Sequence, residues 1–319
     1  MERLKSVLRI ALLDVVKPQQ QRLARLLDFP HEFVAAAETR QKVDAVVALR
    51  FGRAEAERYS TRLLHLPGAG ADAVEMQALE SGCSVCNVFE HEIPIAEYVF
   101  AAILEHAVGY GRLCKAFAAG RWNETYAARR THGEIFGKTL GLVGYGHIGK
   151  AVAQRAHAFG MRVHAISNSG NAPGADWAGR TEQLAQLLAQ SDFLVIACPL
   201  TDKTRGLIGA TQLAQMKPTA VLINIGRAQV VDEEALYRAL ASGRLAGATL
   251  DVWYEYPVAG QGEAKPSRFP FHELANVHCT AHSCAWTEGL FERRYAVIAD
   301  NLTRLQRALP LRNVIFTAP

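Results

Sequence analysis

The sequence predicts an α/β protein of two domains, the second built on a doubly wound parallel sheet. Three observations predict it. Short apolar runs alternate with helical segments along the chain. The length of 319 residues suffices for two domains of ordinary size. At 139–160 an apolar run leads into Gly144-Tyr145-Gly146-His147-Ile148-Gly149 and then an amphipathic segment closed by Gly160. Strand, tight glycine turn and helix, in that order, give a Gly-x-Gly-x-x-Gly motif its physical meaning.

In the first domain, strands are expected at 7–13, 45–49, 63–66 and 84–88, with helical or turn-like segments such as 19–27 and 54–62 between them. Residues 97–117 carry apolar side chains at helical spacing, enough for a helix of roughly 30 Å that could bridge two domains. A polar, irregular stretch follows at 120–137. Six further strands are expected at 139–143, 162–166, 193–198, 220–225, 246–252 and 277–280, interleaved with helices. Residues 287–309 are helical in pattern again, so the first domain is expected to be discontinuous. The predicted organisation is 1–96 plus 288–319 for one domain and 97–287 for the other. The long Gly-, Pro- and Glu-bearing loop at 254–274 is of a kind that is often functional.

Composition narrows the function. Half the residues are apolar and 21% charged, as in a soluble globular protein. A net charge of +4 with no basic stripe argues against a nucleic-acid partner. No apolar run reaches the ~20 residues a membrane span needs. The N-terminal Met1-Glu2-Arg3-Leu4-Lys5 lacks signal-peptide order, so the cytoplasm is the expected compartment. Of six cysteines, Cys83 and Cys86 form a lone C-x-x-C without a second pair at zinc spacing. Buried, reduced thiols are expected there, and no metal site.

The glycine motif implies a dinucleotide. Gly144 permits the sharp turn, Gly146 lets backbone approach a pyrophosphate, and Gly149 lets the helix pack closely on its strand. The free N–H groups of the helix start face the anion. Ligands of such sheets bind beyond the carboxyl ends of strands. There the chain places Pro199 and Thr204, then Gly226 and Arg227, then Asp251, and finally His282. Arginine supplies a bidentate fork for a carboxylate, and histidine a proton near neutral pH. Each could instead be structural: a solvated arginine, a turn-capping aspartate, a core histidine. Together they suggest one cleft.

These stretches resemble the D-isomer-specific 2-hydroxyacid dehydrogenases over nearly the whole chain, most strongly at 140–287. The resemblance rests on 144–149, on Cys198-Pro199-Leu200-Thr201 with Thr204, and on Asn224-Ile225-Gly226-Arg227 through Val231-Asp232-Glu233. It continues in 246–253 and 276–282, with Gly68-Ala69-Gly70-Ala71-Asp72 and Ile95-Ala96-Glu97 in the first domain. It implies a Rossmann-type cofactor domain and a smaller flavodoxin-like substrate domain. It further implies hydride transfer between NAD or NADP and a small anionic 2-oxo or 2-hydroxy acid of the glyoxylate or hydroxypyruvate kind. Arg227 would bind the substrate carboxylate and polarise the 2-oxo group, and His282 would be the acid/base. Backbone N–H groups of Ala69 and Gly70 would hold the carboxylate, and Asp251 would orient the nicotinamide carboxamide. The cofactor would also meet Ser167, Asn168, Pro199, Thr204, Ile225 and Gly226. A homodimer through the cofactor domain is the family habit.

Two departures stand out. Where the family pattern has a glutamate pairing with the histidine, this chain has Tyr256, with Glu255 one residue early. Three readings stay open: Tyr256 orients His282 alone, Glu255 swings in, or Glu273 reaches from the far end of the loop. A phenol supplies no charge, so His282 should titrate lower than is usual in the family. The expected ribose-binding Asp is replaced by Ser167, followed by Asn168 and Ser169. Removing that carboxylate removes repulsion against a 2′-phosphate and favours NADP. No Arg adjoins Ser167 in sequence; Arg180 is the nearest downstream. Arg50, ending a first-domain strand, is a further candidate contact for an anionic substrate, or a plain surface arginine. The alternative function is a dinucleotide-sensing binding protein of the same fold, its catalysis vestigial.

Overall fold

The structure, a computed structural model, describes residues 7–35, 39–257 and 263–319. The first six residues, 36–38 and part of the predicted 254–274 loop lie outside these. The described residues form two compact units, those of 7–91 with Thr287–Pro319, and those of Glu92–Trp286.

The first unit opens with β1 (Leu8–Leu12), α1 (Gln20–Leu26), β2 (His31–Val34), β3 (Gln41–Val47), α2 (Arg53–Arg58), β4 (Tyr59–His65) and β5 (Ser84–Cys86). The second carries α3 (Glu92–Val108), α4 (Tyr110–Ala118), α5 (Trp122–Ala128), β6 (Thr139–Val143), α6 (His147–Ala158), β7 (Arg162–Ile166) and β8 (Trp177–Gly179). It continues with α7 (Leu184–Gln190), β9 (Phe193–Ile196), α8 (Ala210–Gln215), β10 (Val221–Asn224), α9 (Glu233–Ala241), β11 (Gly247–Leu250) and β12 (Val277–Cys279). The chain then returns to the first unit with α10 (Glu288–Gln306) and β13 (Val314–Thr317).

The α/β class expected from the sequence is what forms. The second sheet runs β12-β11-β10-β9-β6-β7-β8, every described pairing parallel. Reading from β8, its first six strands follow the doubly wound order, with the switch point between β6 and β9. Strand residues alternate between two apolar layers: Leu140, Leu142, Val195 and Ile223 in one, Val143, Leu194, Ile196 and Leu222 in the other. Burial on both faces is why these strands read as continuous apolar runs. The first sheet runs β13-β5-β4-β3-β1-β2, of flavodoxin-like order, with β13 antiparallel to β5.

Several local expectations change. The predicted 97–117 helix is two helices, α3 and α4, parted at Gly109 with φ of 69°. The 54–62 segment is helical only to Arg58, because Tyr59 already pairs with Gln41 as β4. The stretch 120–137 contains α5. Cys83 and Cys86 are buried thiols, and burial pushes them up to about 11 and about 12. No described helix is long and apolar enough to cross a membrane.

Candidate active site

The three motif glycines answer to three different constraints. Gly144 has φ of 102°, and a Cβ on it would lie 2.8 Å from the Cys198 nitrogen and 2.9 Å from the Ala197 carbonyl carbon. Only glycine fits that crossing of β6 against β9. Gly149 packs so tightly that a Cβ would sit 2.5 Å from the Gly144 carbonyl oxygen. At Gly146 a Cβ would meet no described atom within 4 Å. The fold therefore does not require glycine there, and a bare backbone at the start of α6 is what close approach of a pyrophosphate calls for. Tyr145 ties the turn down by donating to the Pro173 carbonyl at 2.8 Å. Ile148 packs on the core, while His147 is exposed.

Beyond β9, Thr204 closes its own turn. Its hydroxyl donates to the Pro199 carbonyl at 2.7 Å and accepts from the Thr201 N–H at 2.8 Å. Beyond β10, a Cβ on Gly226 would lie 2.9 Å from the Cys198 carbonyl, so backbone again meets backbone. Ile225 is buried, and the Asn224 side chain braces the turn by accepting from the Gly226 N–H and donating to the Arg227 carbonyl, each at 3.2 Å. Arg227 is thereby set half-buried on the carboxyl edge of the sheet.

Asp251, ending β11, is fully buried and its carboxylate is saturated. It accepts from the Thr280 hydroxyl at 2.6 Å, the Ser283 N–H at 2.8 Å and the Cys284 N–H at 3.1 Å. Trp253 Nε1 donates to the Thr280 carbonyl at 2.8 Å, and the Tyr98 hydroxyl lies 2.5 Å from that of Thr280. These bonds clamp the turn that carries His282, whose φ of 54° is a left-handed conformation uncommon for histidine. Such a conformation persists only where the surroundings over-determine it. In this geometry the Asp251 carboxylate holds the loop that carries His282.

His282 Nδ1 lies 2.8 Å from the Tyr256 hydroxyl, which also accepts from the Trp253 N–H at 3.2 Å. Glu255 is exposed, and Glu273 lies beside His272 at 3.9 Å. Among the described residues the ring's side-chain partner is the tyrosine. Burial, with the Arg227 guanidinium as a lesser cause, lowers the His282 pKa against an opposing pull from Asp251. Burial likewise raises the Tyr256 hydroxyl. Tyr256, Ala281, His282, Ser283 and Trp286 line an open, largely apolar pocket. Trp286, 72% exposed, carries no motif signal that would single it out from sequence.

Ser167 and Asn168 follow β7 at the same sheet edge. In the first unit, the Asn87 side chain donates to the Ala69 carbonyl at 2.9 Å, and Gly68 accepts from the Val88 N–H at 3.2 Å. The N–H groups of Ala69 and Gly70 donate no backbone bond among the described residues. Arg50 is exposed just past β3.

The glycine turn and the residues at the carboxyl edge of the second sheet suit a dinucleotide, and comparison with known proteins gives the family. Residues 100–284 match the family described as "D-isomer specific 2-hydroxyacid dehydrogenase, NAD binding domain". The chain is 32% identical to a glyoxylate reductase of Korarchaeum cryptofilum, over 83% of this chain and 80% of that protein. It is 39% identical to a glyoxylate/hydroxypyruvate reductase B of Pectobacterium carotovorum, over 67% of this chain and 65% of that protein. It spans about half the length of other curated relatives it matches. Among solved structures, a D-isomer specific 2-hydroxyacid dehydrogenase of Xanthobacter autotrophicus, in complex with NADPH and MES, superposes with a TM-score of 0.77. That likeness has 25% identity and covers 98% of each chain. The chain belongs to the D-isomer specific 2-hydroxyacid dehydrogenase family.

Proposed function

We propose that the protein is an NAD(P)-dependent reductase of small 2-oxo acids of the glyoxylate and hydroxypyruvate type. The observation that carries this reading is the Tyr256–His282 pair held beside Arg227 at the carboxyl edge of a sheet whose glycine turn leaves room for a pyrophosphate. The names of the relatives agree with it.

The 144–149 turn and the α6 N-terminus hold the cofactor pyrophosphate, and the residues past β7, β9 and β10 line the rest of its seat. When bound, the nicotinamide supplies or takes up the hydride. Arg227 binds the substrate carboxylate and polarises the neighbouring carbonyl through its fixed guanidinium fork. His282 gives a proton to the oxygen on which negative charge develops, and takes it back in the reverse reaction. Tyr256 holds the imidazole in register, and Asp251 is a positioning residue that acts through the turn carrying His282.

The test is a panel of glyoxylate, hydroxypyruvate, pyruvate and phenylpyruvate with NADH and NADPH, read by nicotinamide absorbance. Turnover of the first two that vanishes in Arg227→Gln and His282→Gln is the expected result. Cofactor binding with no turnover of any acid would replace the enzyme by a dinucleotide sensor.

Self-association in the cytoplasm belongs to the same proposal. Phe117, Trp122 and Tyr126 form an exposed aromatic cluster on α4 and α5, the kind of patch a second copy covers. A dimeric mass by light scattering, reduced to a monomer by Trp122→Glu, is expected.

A further inference from the structure

Arg180 is separated from Ser167 by a dozen residues of chain, yet the sheet makes them neighbours. β8 lies parallel to β7 with Ile166 opposite Gly179, so Ser167 and Arg180 each stand one residue past a paired position. The Ser167 N–H donates to the Gly179 carbonyl at 3.0 Å, which extends that register to the edge. From there the Arg180 side chain lies across the 167–170 turn. A Cβ on Gly170 would be 2.8 Å from Arg180 Cγ and 3.1 Å from its Nε. Gly170, with φ of 74°, is what lets the arginine lie there.

The turn beneath it is ordered and rich in hydroxyls. Ser167 Oγ donates to the Asn171 carbonyl at 3.0 Å and lies 3.3 Å from Ser169 Oγ, which accepts from the Asn171 N–H at 3.2 Å. Asn168 is exposed at its tip. Arg180 anchors its own backbone by donating to Gln183 Oε1 at 3.0 Å, and no described carboxylate forms an ion pair with its guanidinium. The second strand of a doubly wound sheet ends where the adenosine ribose of a dinucleotide lies. At that point the described residues place no carboxylate, and the Arg180 side chain lies across Gly170 of the turn that carries two serine hydroxyls.

We propose that Arg180, with the 167–170 turn, is a clamp for the 2′-phosphate of NADP and sets the cofactor preference of this protein. The proposal rests on the dinucleotide reading above. It replaces the sequence-level picture, in which charge compatibility alone favoured NADP, by a positive contact delivered through β8.

The test is binding, without substrate or turnover: nicotinamide fluorescence on titrating the full-length protein with NADPH and NADH. The wild type should bind NADPH more tightly. Arg180→Gln, an exposed change that leaves the core untouched, should weaken NADPH by roughly 10- to 100-fold, the range of a lost charge-assisted bond, and leave NADH unaltered. Ser167→Asp should turn the preference to NADH by restoring repulsion. Adenosine 2′-monophosphate should displace NADPH from the wild type and fail to do so at the same concentration in Arg180→Gln. An NADPH-to-NADH affinity ratio that is the same in wild type and Arg180→Gln overturns the clamp while the enzyme reading stands. A wild type that binds neither nucleotide overturns both.

Discussion

Burial and, to a lesser degree, the Arg227 guanidinium favour a neutral His282 against the pull of Asp251, and the phenol of Tyr256 adds no charge to that pull. In the proposed reduction His282 gives up the proton, so the reductive rate should be full below its pKa and fall as pH rises through it. With that pKa below the ordinary value of 6.5, the falling limb of kcat/KM for glyoxylate should lie on the acid side of pH 6.5. Tyr256→Glu should carry the limb upward by about one unit or more, since a carboxylate stabilises the imidazolium. Tyr256→Phe should leave the limb low and reduce kcat by roughly 10-fold through loss of orientation. Glu255→Gln and Glu273→Gln should be silent; a collapse of the rate in either would sink the tyrosine assignment. Asp251→Asn replaces an acceptor by an NH2 group facing backbone donors, leaving at least one buried N–H unsatisfied at about 1–3 kcal/mol. A drop in Tm together with kcat, with KM for cofactor little changed, is the expected signature of its positioning role.

The glycine turn makes a sharper statement than its motif, because the structure separates folding from binding within six residues. Gly144→Ala forces a Cβ into the Ala197–Cys198 backbone at positive φ and should destabilise the second unit by about 2 kcal/mol or more. Gly146→Ala meets nothing in the protein and should melt like the wild type while losing NAD(P) affinity. Equal losses of Tm in the two variants would contradict this division. The turn was legible in sequence because strand, glycines and helix are contiguous, as were the strands buried on both faces. Edge strands were not: β2 reads His-Glu-Phe-Val and is half-exposed, β8 has three residues, and β13 is mostly exposed. Missing β8 left Arg180 as no more than the nearest downstream arginine, since only strand pairing brings it to Ser167. The Tyr256–His282 contact was foreseen as one of three options, because spacing shows which residues can reach a histidine but not which does. The clamp that Asp251 places on the histidine turn had no sequence signal, as its donors are backbone N–H groups and a threonine thirty residues away.

At the scale of the whole molecule, the first unit buries a histidine and the second half-buries one, and in both the surroundings favour the neutral form. In the first, His65 on β4 is fully buried. Its Nδ1 donates to the Leu66 carbonyl at 3.1 Å, and its Nε2 accepts from Asn301 Nδ2 on α10 at 2.9 Å. Asn301 cannot turn to welcome a second proton, because its Oδ1 accepts from the Arg312 N–H at 2.8 Å and its Nδ2 also donates to the Arg312 carbonyl at 3.0 Å. This bond joins the N-terminal strands to the returning C-terminal segment. Burial lowers His65 from 6.5 to about 4, and His106 in the second unit, stacked on His278 at 4.5 Å, is also lowered to about 4. For a histidine depressed in the fold, the unfolded chain takes up the proton first. Stability is therefore undiminished above about pH 6.5 and falls between there and pH 4, by at most ~1.4 kcal/mol per pH unit per histidine. Urea unfolding at intervals from pH 7.5 to 4 should show this decline in both units. His65→Gln should be less stable than the wild type at pH 7.5, yet lose stability less steeply on acidification in the unit that contains it. An unchanged pH slope in that variant would mean that His65 already ionises in the fold, and that the bond to Asn301 is not what holds the C-terminal return in place.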